Sequence, residues 1–160
     1  MKKVSLFVDV QNIYYTVKEA YNGHFDYHAF WNRATKRRKV LKALAYAIDK
    51  GDEQQLQFQE ILRTIGFDVK LKPYIQRKDG SAKGDWDVGI TLDMMDLAAH
   101  SDVVVLLSGD GDFEMLIEKI QNRFKTRVEV YGVRAFTADT LIHAADKFIS
   151  ITKKMNLVSR

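Results

Sequence analysis

Two short apolar runs constrain the fold of this chain more than any other feature of its sequence. Val4 to Val10 is interrupted only by Ser5 and Asp9, and Val103 to Leu107 contains no polar residue. Strands with one solvent-facing side alternate apolar and polar residues, whereas strands covered on both faces do not. The two runs therefore predict buried strands of a parallel sheet, which has helices on both of its faces.

The rest of the chain alternates between helical and extended patterns. We predict helices at 12–21, 53–65, 87–99, 113–124 and 138–145, and further strands at 40–48, 67–73, 128–133 and 148–151. Residues 40–48 would also suit a helix, residues 67–73 alternate like an edge strand, and residues 22–38 give no clear pattern. The alternation predicts one α/β domain over residues 1–160, with its functional crevice beyond the carboxyl ends of the strands.

The composition limits the kinds of metal site, catalytic group and binding partner that the chain can have. The chain has 160 residues and no cysteine, which excludes thiolate zinc sites, disulfides and a cysteine nucleophile. Its net charge of +4 suits a polyanionic partner but also an ordinary solvated surface. No apolar stretch approaches the roughly 20 residues that span a membrane, and no signal-peptide pattern is present. We expect a cytoplasmic protein with no membrane partner, and the sequence leaves the oligomeric state open, a homo-oligomer included.

Carboxylates follow both apolar runs. Asp9 ends the first, and the segment Ser108-Gly109-Asp110-Gly111-Asp112 follows the second, with glycines that permit a close backbone approach. Because the carboxyl ends of parallel strands meet at one edge of a sheet, we expect these acids to gather there. Aspartate is also a favoured N-cap residue, which explains Asp110 or Asp112 singly but neither the pair nor Asp9.

A third group of acids lies in Lys83-Gly84-Asp85-Trp86-Asp87, a polar segment that opens the predicted helix 87–99. Either Asp85 or Asp87 can complete a four-carboxylate site, and either can instead be an N-cap. Packed carboxylates repel unless protons or cations intervene, and hard divalent ions take oxygen ligands. Aspartates without histidine or cysteine favour Mg²⁺ or Mn²⁺ over zinc, and such ions support phosphodiester hydrolysis.

Basic and aromatic side chains are candidate contacts to a nucleic acid. The basic residues flank the acids in sequence and comprise Lys36 to Lys39, Lys70, Lys72, Arg77, Lys78 and Lys83; the aromatic ones are Tyr14, Tyr15, Tyr27, Trp31 and Trp86. The first group can hold phosphates and the second can stack on unpaired bases, although core packing is the more common role of any one aromatic residue. Asp93 is a candidate for indirect contact with the acidic site, and Asp96 for a solvated surface.

Three motifs, in this order, resemble the NYN domain family and in particular its LabA-like bacterial branch, within the PIN-like nuclease superfamily. They are Val8-Asp9-Val10-Gln11-Asn12, Lys83-Gly84-Asp85-Trp86-Asp87-Val88 and, most specifically, Ser108-Gly109-Asp110-Gly111-Asp112-Phe113. The resemblance extends from Val4 to about Ile151. Gly111 stands where the family usually has serine. The spacing from Lys83-Gly84 to Asp87 is one residue longer than usual, and we prefer Asp87 to Asp85 because an apolar helical stripe follows it from Val88.

The resemblance implies a three-layer α/β/α sandwich with a mainly parallel sheet, of PIN-like and Rossmann-like type. It also implies a metal-dependent ribonuclease site. That this site hydrolyses RNA in single-stranded or unpaired regions is our own hypothesis. By the resemblance, Asp9, Asp87, Asp110 and Asp112 are the catalytic acids and bind Mg²⁺ or Mn²⁺, Asn12 orients the first acid or a metal-bound water, and Lys83 contacts phosphate. We take Asn12, Lys83 and Ser108 as the candidates for contacts to the substrate.

Other functions remain open on the sequence. The main alternative is a non-catalytic RNA-binding or regulatory module that retains the NYN fold. A phosphatase of the haloacid-dehalogenase type is disfavoured because it needs a second aspartate two residues after the first, where this chain has Gln11. A phosphoacceptor receiver domain is disfavoured because its acids are paired at the first strand, where Asp9 stands alone.

Overall fold

A six-stranded parallel sheet lies at the centre of the protein, in a computed structural model that describes residues 1–73 and 85–159 and the backbone of 75–76 and 82–83. The strands are β1 (Lys2–Asp9), β2 (His24–Phe25), β3 (Arg38–Asp49), β4 (Asp68–Pro73), β5 (Ile75–Gln76), β6 (Ala82–Lys83), β7 (Val103–Leu107), β8 (Arg127–Gly132), β9 (Lys147–Ser150) and β10 (Val158–Ser159). The helices are α1 (Val10–Tyr21), α2 (Tyr27–Ala34), α3 (Glu53–Ile65), α4 (Asp87–Ala98), α5 (Glu114–Phe124) and α6 (Asp139–Ala144). The sheet has the order β4-β3-β1-β7-β8-β9, and two short antiparallel ribbons pair β2 with β10 and β5 with β6.

Helices cover both faces of this sheet, as predicted for strands that have no solvent-facing side. On one face lie α1, α2 and α3, whose buried side chains include Ile13, Phe30 and Leu62. On the other lie α4, α5 and α6, with Ile90, Ile117 and Leu141. The three-layer α/β/α sandwich is thus confirmed. Among the described residues, no helix is long and apolar enough to cross a membrane.

The strands predicted at 40–48 and 67–73 are also confirmed. The segment predicted at 40–48 is the strand β3 despite its leucines and alanines, and it pairs with β1 on one side and β4 on the other. β4 lies at the edge of the sheet, as its alternating pattern predicted. Every pair in the six-stranded sheet is parallel, so the strands deliver their last residues to one common edge.

Residues 22–38, which the sequence pattern left unassigned, contain β2 and α2. The carboxylate of Asp26 caps α2 by accepting a hydrogen bond from the backbone N–H of Ala29 at 2.9 Å. Phe30 packs edge to face on Tyr131, with ring centroids 4.9 Å apart. The helix has only eight residues, so it is too short to show a clear helical period in the sequence.

The orientation of α4 corrects one detail of the sequence analysis. The predicted apolar stripe began at Val88 and included Leu92, but these side chains are 70% and 61% exposed. The helix instead buries Ile90, Met94 and Ala98, which are spaced four residues apart. Because both stripes are apolar, hydrophobicity alone does not specify which one faces the sheet. The stripe therefore gives no reason to prefer Asp87 over Asp85 as the third acid.

Candidate functional site

Asp9 is the last residue of β1 and is almost buried where the strand passes into α1. Its carboxylate accepts a hydrogen bond from the hydroxyl of Ser108 at 2.9 Å, and Ser108 is itself fully buried at the end of β7. Burial raises the pKa of Asp9, and hydrogen bonds from Ser108 and from the Asn12 backbone oppose this only in part. The folded protein therefore disfavours a negative charge on Asp9 unless a cation lies near it.

The segment after β7 is fixed against the start of α1. The side-chain oxygen of Asn12 accepts a hydrogen bond from the backbone N–H of Gly109 at 2.9 Å, and the N–H of Asp110 donates to the Ser108 hydroxyl at 3.2 Å. Gly109 makes the close backbone approach that its position predicted, since a Cβ there would lie 2.7 Å from the carbonyl oxygen of Phe136. These contacts fix the backbone that carries Asp110 and Asp112.

Three aspartates come together at the carboxyl edge of the sheet. One carboxylate oxygen from each of Asp87, Asp110 and Asp112 lies within 4.8 Å of the other two, close enough to share one metal ion. Asp110 also caps the short 3-10 helix Gly111–Phe113, because its carboxylate accepts a hydrogen bond from the N–H of Asp112 at 2.9 Å. The N-cap interpretation of Asp110 is therefore correct, and it is compatible with a place in the cluster.

The third acid of this cluster is Asp87 and not Asp85. Asp87 begins α4 and is partly buried, whereas Asp85 is exposed and accepts a 3.3 Å hydrogen bond from the N–H of Asp87. Burial raises the pKa of Asp87 to about 7, and repulsion from Asp110 and Asp85 adds to the effect. The folded protein therefore disfavours a negative charge on Asp87 unless a cation lies near it.

An open cavity of about 280 Å³ joins Asp87 and Asp110 of the cluster to Asp9. Its lining residues are Asp9, Gln11, Asn12, Tyr15, Thr16, Asp85, Asp87 and Asp110. Asp9 thus faces the same space as Asp87 and Asp110 without belonging to the cluster of three, whose third member, Asp112, does not line the cavity. Gln11 and Thr16 were not singled out from the sequence; their nearness to Asp9 on the first turns of α1 was the available signal.

Trp86 fixes the start of α4 to the sheet. Its indole N–H donates to the carbonyl of Ala47 in β3 at 2.9 Å. The ammonium of Lys72 lies 4.5 Å from the centre of the ring and donates to the carbonyl of Asp85 at 3.0 Å. Gly89 makes room for this ring, since a Cβ there would lie 2.6 Å from the indole. Trp86 is thus a packing residue that positions Asp87, a role for which the only sequence signal was a glycine three residues later.

The basic residues are less close to the acids than their order in the sequence implied. The register pairs Lys2 with Arg38 and Asp9 with Tyr46. The run Lys36 to Lys39 therefore lies where the strands begin, at the opposite end of the strands from the acids. This run therefore does not flank the site in space, because it lies at the beginning of β3 whereas the acids lie at the ends of β1 and β7. Arg77, Lys78 and the side chain of Lys83 lie outside the described residues.

Asp93 belongs to a separate network beside the site. Its carboxylate accepts a hydrogen bond from the hydroxyl of Tyr46 at 2.7 Å and forms an ion pair with Lys70 at 2.6 Å. Tyr46 in turn packs against Trp86, with ring centroids 5.3 Å apart. Asp93 therefore contacts the site only indirectly, through the residues that hold Trp86, while Asp96 is exposed as expected.

The candidate stacking residues divide into two groups. Tyr27 is buried, and Trp31 packs edge to face on Phe67 with centroids 5.1 Å apart, so core packing is the role of both. Tyr14 and Tyr15 are exposed on α1, and Tyr15, which is 53% exposed, lines the cavity with the aspartates. Among the described residues, Tyr15 is thus the candidate stacking residue placed beside the acids with a free surface.

Comparison with known proteins agrees with this geometry. The sequence profile of the NYN domain family matches residues 3–152. The chain belongs to the NYN domain family. NYN domains are nuclease-type domains, typically ribonucleases, and the resemblance based on the three motifs is therefore confirmed.

Two relatives extend this NYN assignment over almost the whole chain. The protein named low amplitude and bright protein LabA, from Synechococcus elongatus, is 26% identical over 167 residues, which cover 99% of this chain and 88% of LabA. A crystal structure of a protein of unknown function from Vibrio parahaemolyticus is 54% identical and superposes with a TM-score of 0.93. That superposition covers 99% of this chain and 96% of the Vibrio chain, so the two share one fold from end to end.

Proposed function

We propose that this NYN domain is a metal-dependent endoribonuclease that hydrolyses phosphodiester bonds of RNA. The observation that carries the proposal is the convergence of Asp87, Asp110 and Asp112, two of which, Asp87 and Asp110, line one open cavity together with the almost buried Asp9. Membership of the NYN family supports a nuclease role in general. The choice of RNA, of the metal and of these four residues is our proposal.

The donor set fits Mg²⁺ or Mn²⁺. The cluster consists of carboxylates alone, which suits hard divalent ions, and the raised pKa of Asp87 indicates that the group needs a counter-charge. In the proposal Asp87, Asp110 and Asp112 hold the ion, with Asp9 as the fourth acid. A bound ion of this kind supplies Lewis-acid stabilisation of phosphoryl oxygens and lowers the pKa of a water molecule.

The neighbouring residues act in this proposal by positioning. The hydroxyl of Ser108 orients the Asp9 carboxylate, and its complete burial leaves no surface for a substrate. Asn12 holds the backbone of Gly109 and so fixes the direction in which Asp110 leaves the sheet. Lys83 remains a proposed phosphate contact.

The proposed substrate is single-stranded or unpaired RNA. Tyr15 presents a half-exposed ring to the same cavity as Asp9, Asp87 and Asp110. Stacking of a base on such a ring contributes about 1–3 kcal/mol and requires a base that is free of its complementary strand. Tyr15→Ala should therefore weaken binding of single-stranded RNA more than that of duplex RNA.

The decisive experiment compares cleavage of a labelled single-stranded RNA by the wild type and by Asp110→Asn/Asp112→Asn, with and without Mg²⁺ or Mn²⁺. The matched control is Asp96→Asn, which makes the same chemical change on an exposed part of α4. We expect cleavage that depends on the metal and is unaffected in the control. In the double variant cleavage should fall by more than roughly 100-fold, which is the upper end of the effect of substituting residues that contact a metal ligand but not the metal itself. The double substitution should also abolish the stabilisation of the protein by Mn²⁺ in thermal melts.

Two outcomes would contradict the proposal. If the wild type does not cleave RNA, but RNA binding is present and survives the double substitution, the non-catalytic RNA-binding or regulatory module is the better description. If the wild type and the double variant cleave equally, the activity belongs to a contaminant or to another part of the protein.

A further inference from the structure

The side of the sheet at which the strands begin, opposite the aspartates, carries a concentration of positive charge. Its exposed basic side chains, named here the basic edge, are Lys2, Lys3, Lys36, Arg37, Lys39, Lys125, Arg127 and Lys147. The register brings them together, since Lys2 lies beside Arg38, Val103 beside Arg127, and Glu129 beside Lys147. The basic edge therefore comes from the beginnings of four strands and exists only in the folded protein.

The acids beside these strand starts are already engaged. Glu129 is buried and forms ion pairs with Arg38 at 2.9 Å and with Arg127 at 3.0 Å. Asp146 accepts a hydrogen bond from the N–H of Val128 at 2.7 Å, and Asp102 accepts one from the N–H of Lys3 at 2.7 Å. The six lysines of the basic edge outnumber these three acids, whereas Arg127 is already paired with Glu129.

This arrangement works against the stability of the fold. The strand pairing places Lys3 beside Lys39, on strands about 4.8 Å apart, where like charges repel. Arg37 has the left-handed backbone conformation with φ 59°, which costs a residue with a side chain about 1 kcal/mol. Local conflicts of this kind are expected where residues serve binding and not folding.

We propose that the basic edge is a second RNA-binding surface, which holds the phosphate backbone of a long RNA while the acidic site engages another part of the same molecule. That the polyanion is RNA rests on the proposed function. Seven steps of about 3.3 Å separate the two ends of β1, so the edges lie roughly 23 Å apart and only a long RNA contacts both. Phosphate contacts carry no sequence information, so the basic edge adds affinity and a preference for length.

The chemistry of this edge favours RNA over an anionic membrane. Proteins that lie on membranes usually insert Trp, Phe or Leu side chains from an amphipathic helix. On and beside β1 and β3, by contrast, the exposed large apolar side chains are those of Met1 and Leu41. The exposed aromatic rings of the described residues, Tyr14, Tyr15 and Phe136, belong to other elements. The basic edge thus offers charge without an inserting group.

The test measures RNA binding in EDTA, so that it does not depend on cleavage. The variant is Lys36→Gln/Arg37→Gln, and the matched control is Lys153→Gln/Lys154→Gln, which removes the same charge from another exposed turn. Binding of a trinucleotide and of a single-stranded RNA of roughly 30 nucleotides is followed by fluorescence anisotropy over a series of salt concentrations. Thermal melts establish that both variants are folded.

We expect the Lys36/Arg37 variant to bind the long RNA more weakly, with a salt-dependence slope reduced by about 1.4, because each lost contact to a single strand contributes about 0.7. Binding of the trinucleotide, which is too short to span the sheet, should be unchanged, and the control should resemble the wild type for both RNAs. Cleavage of the trinucleotide with metal should be equal in all three proteins, which separates this result from a failure of the proposed nuclease function.

Three results would overturn the basic edge as an RNA-binding surface. The variant could bind the long RNA with the affinity and slope of the wild type. The control could weaken binding as much as the variant, which would indicate an unspecific effect of net charge. The protein could bind vesicles of phosphatidylserine and phosphatidylcholine through Lys36 and Arg37 while these residues make no difference to RNA, in which case the partner is a membrane.

Discussion

Replacing Gly89 by alanine should destabilise the protein, although alanine is the better helix former. In a helix interior the change from glycine to alanine stabilises by about 1 kcal/mol. Here the new Cβ would lie 2.6 Å from the indole of Trp86, which is held by its hydrogen bond to Ala47 and by Lys72 over its face. Forcing a methyl group into a packed contact costs about 1–3 kcal/mol, so we expect a net loss of about 0–2 kcal/mol.

The sign of this effect should reverse when the ring is absent. Trp86→Ala destabilises the protein by itself, but in that background the Cβ of Ala at position 89 has no indole to meet, and the substitution should stabilise by about 1 kcal/mol. Urea unfolding of the wild type, the two single variants and the double variant gives the coupling free energy, which we expect to be about 1–3 kcal/mol. Equal stabilisation by Gly89→Ala in both backgrounds would refute the view that this glycine makes room for Trp86.

Two further predictions concern charged groups. The pKa of Asp87 is raised from 3.8 to about 7, so the folded, metal-free protein holds this proton more tightly than the unfolded chain, and its stability should fall as the pH rises between these values. Asp87→Asn should therefore be more stable than the wild type above that range in EDTA, measured by urea unfolding at several pH values; an unchanged pH profile would assign the dependence to another group. Arg38→Met removes the bidentate partner of the buried Glu129 and should cost about 2–3 kcal/mol, less than the usual 3–5 because Arg127 remains. Arg127→Met removes a more exposed partner and should cost less in the same assay, and equal losses would contradict this ranking.

Much of the fold was predictable because its local signals are strong. The strand Val103–Leu107 and the helix Glu53–Ile65 were predicted with their observed bounds, the first from an unbroken apolar run and the second from a helical pattern that ends at Gly66. The face that α4 turns to the sheet was not predictable, because Val88 and Ile90 begin stripes that are both apolar.

The candidate site was predictable to the extent that it follows from topology. Parallel strands bring Asp9 and the segment after β7 to one edge, and this needed no knowledge of side-chain contacts. The place of Asp87 depends instead on the hydrogen bond between Trp86 and Ala47, residues 39 positions apart, which no local pattern encodes. The distance of Lys36 to Lys39 from the acids likewise required the register between β1 and β3.

The hydrogen bond between Asp9 and Ser108 has a consequence for the folding of this protein, since it joins residues 99 positions apart. Contacts of such long range form late, because a large loop has to close before they are made. Synthesis delivers the N-terminal part of a chain first, so Asp9 leaves the ribosome long before β7 and the aspartates that follow it. A growing chain therefore cannot assemble the acidic cluster until its residues up to Asp112 are available, and until then the polypeptide lacks the site that we propose acts on RNA.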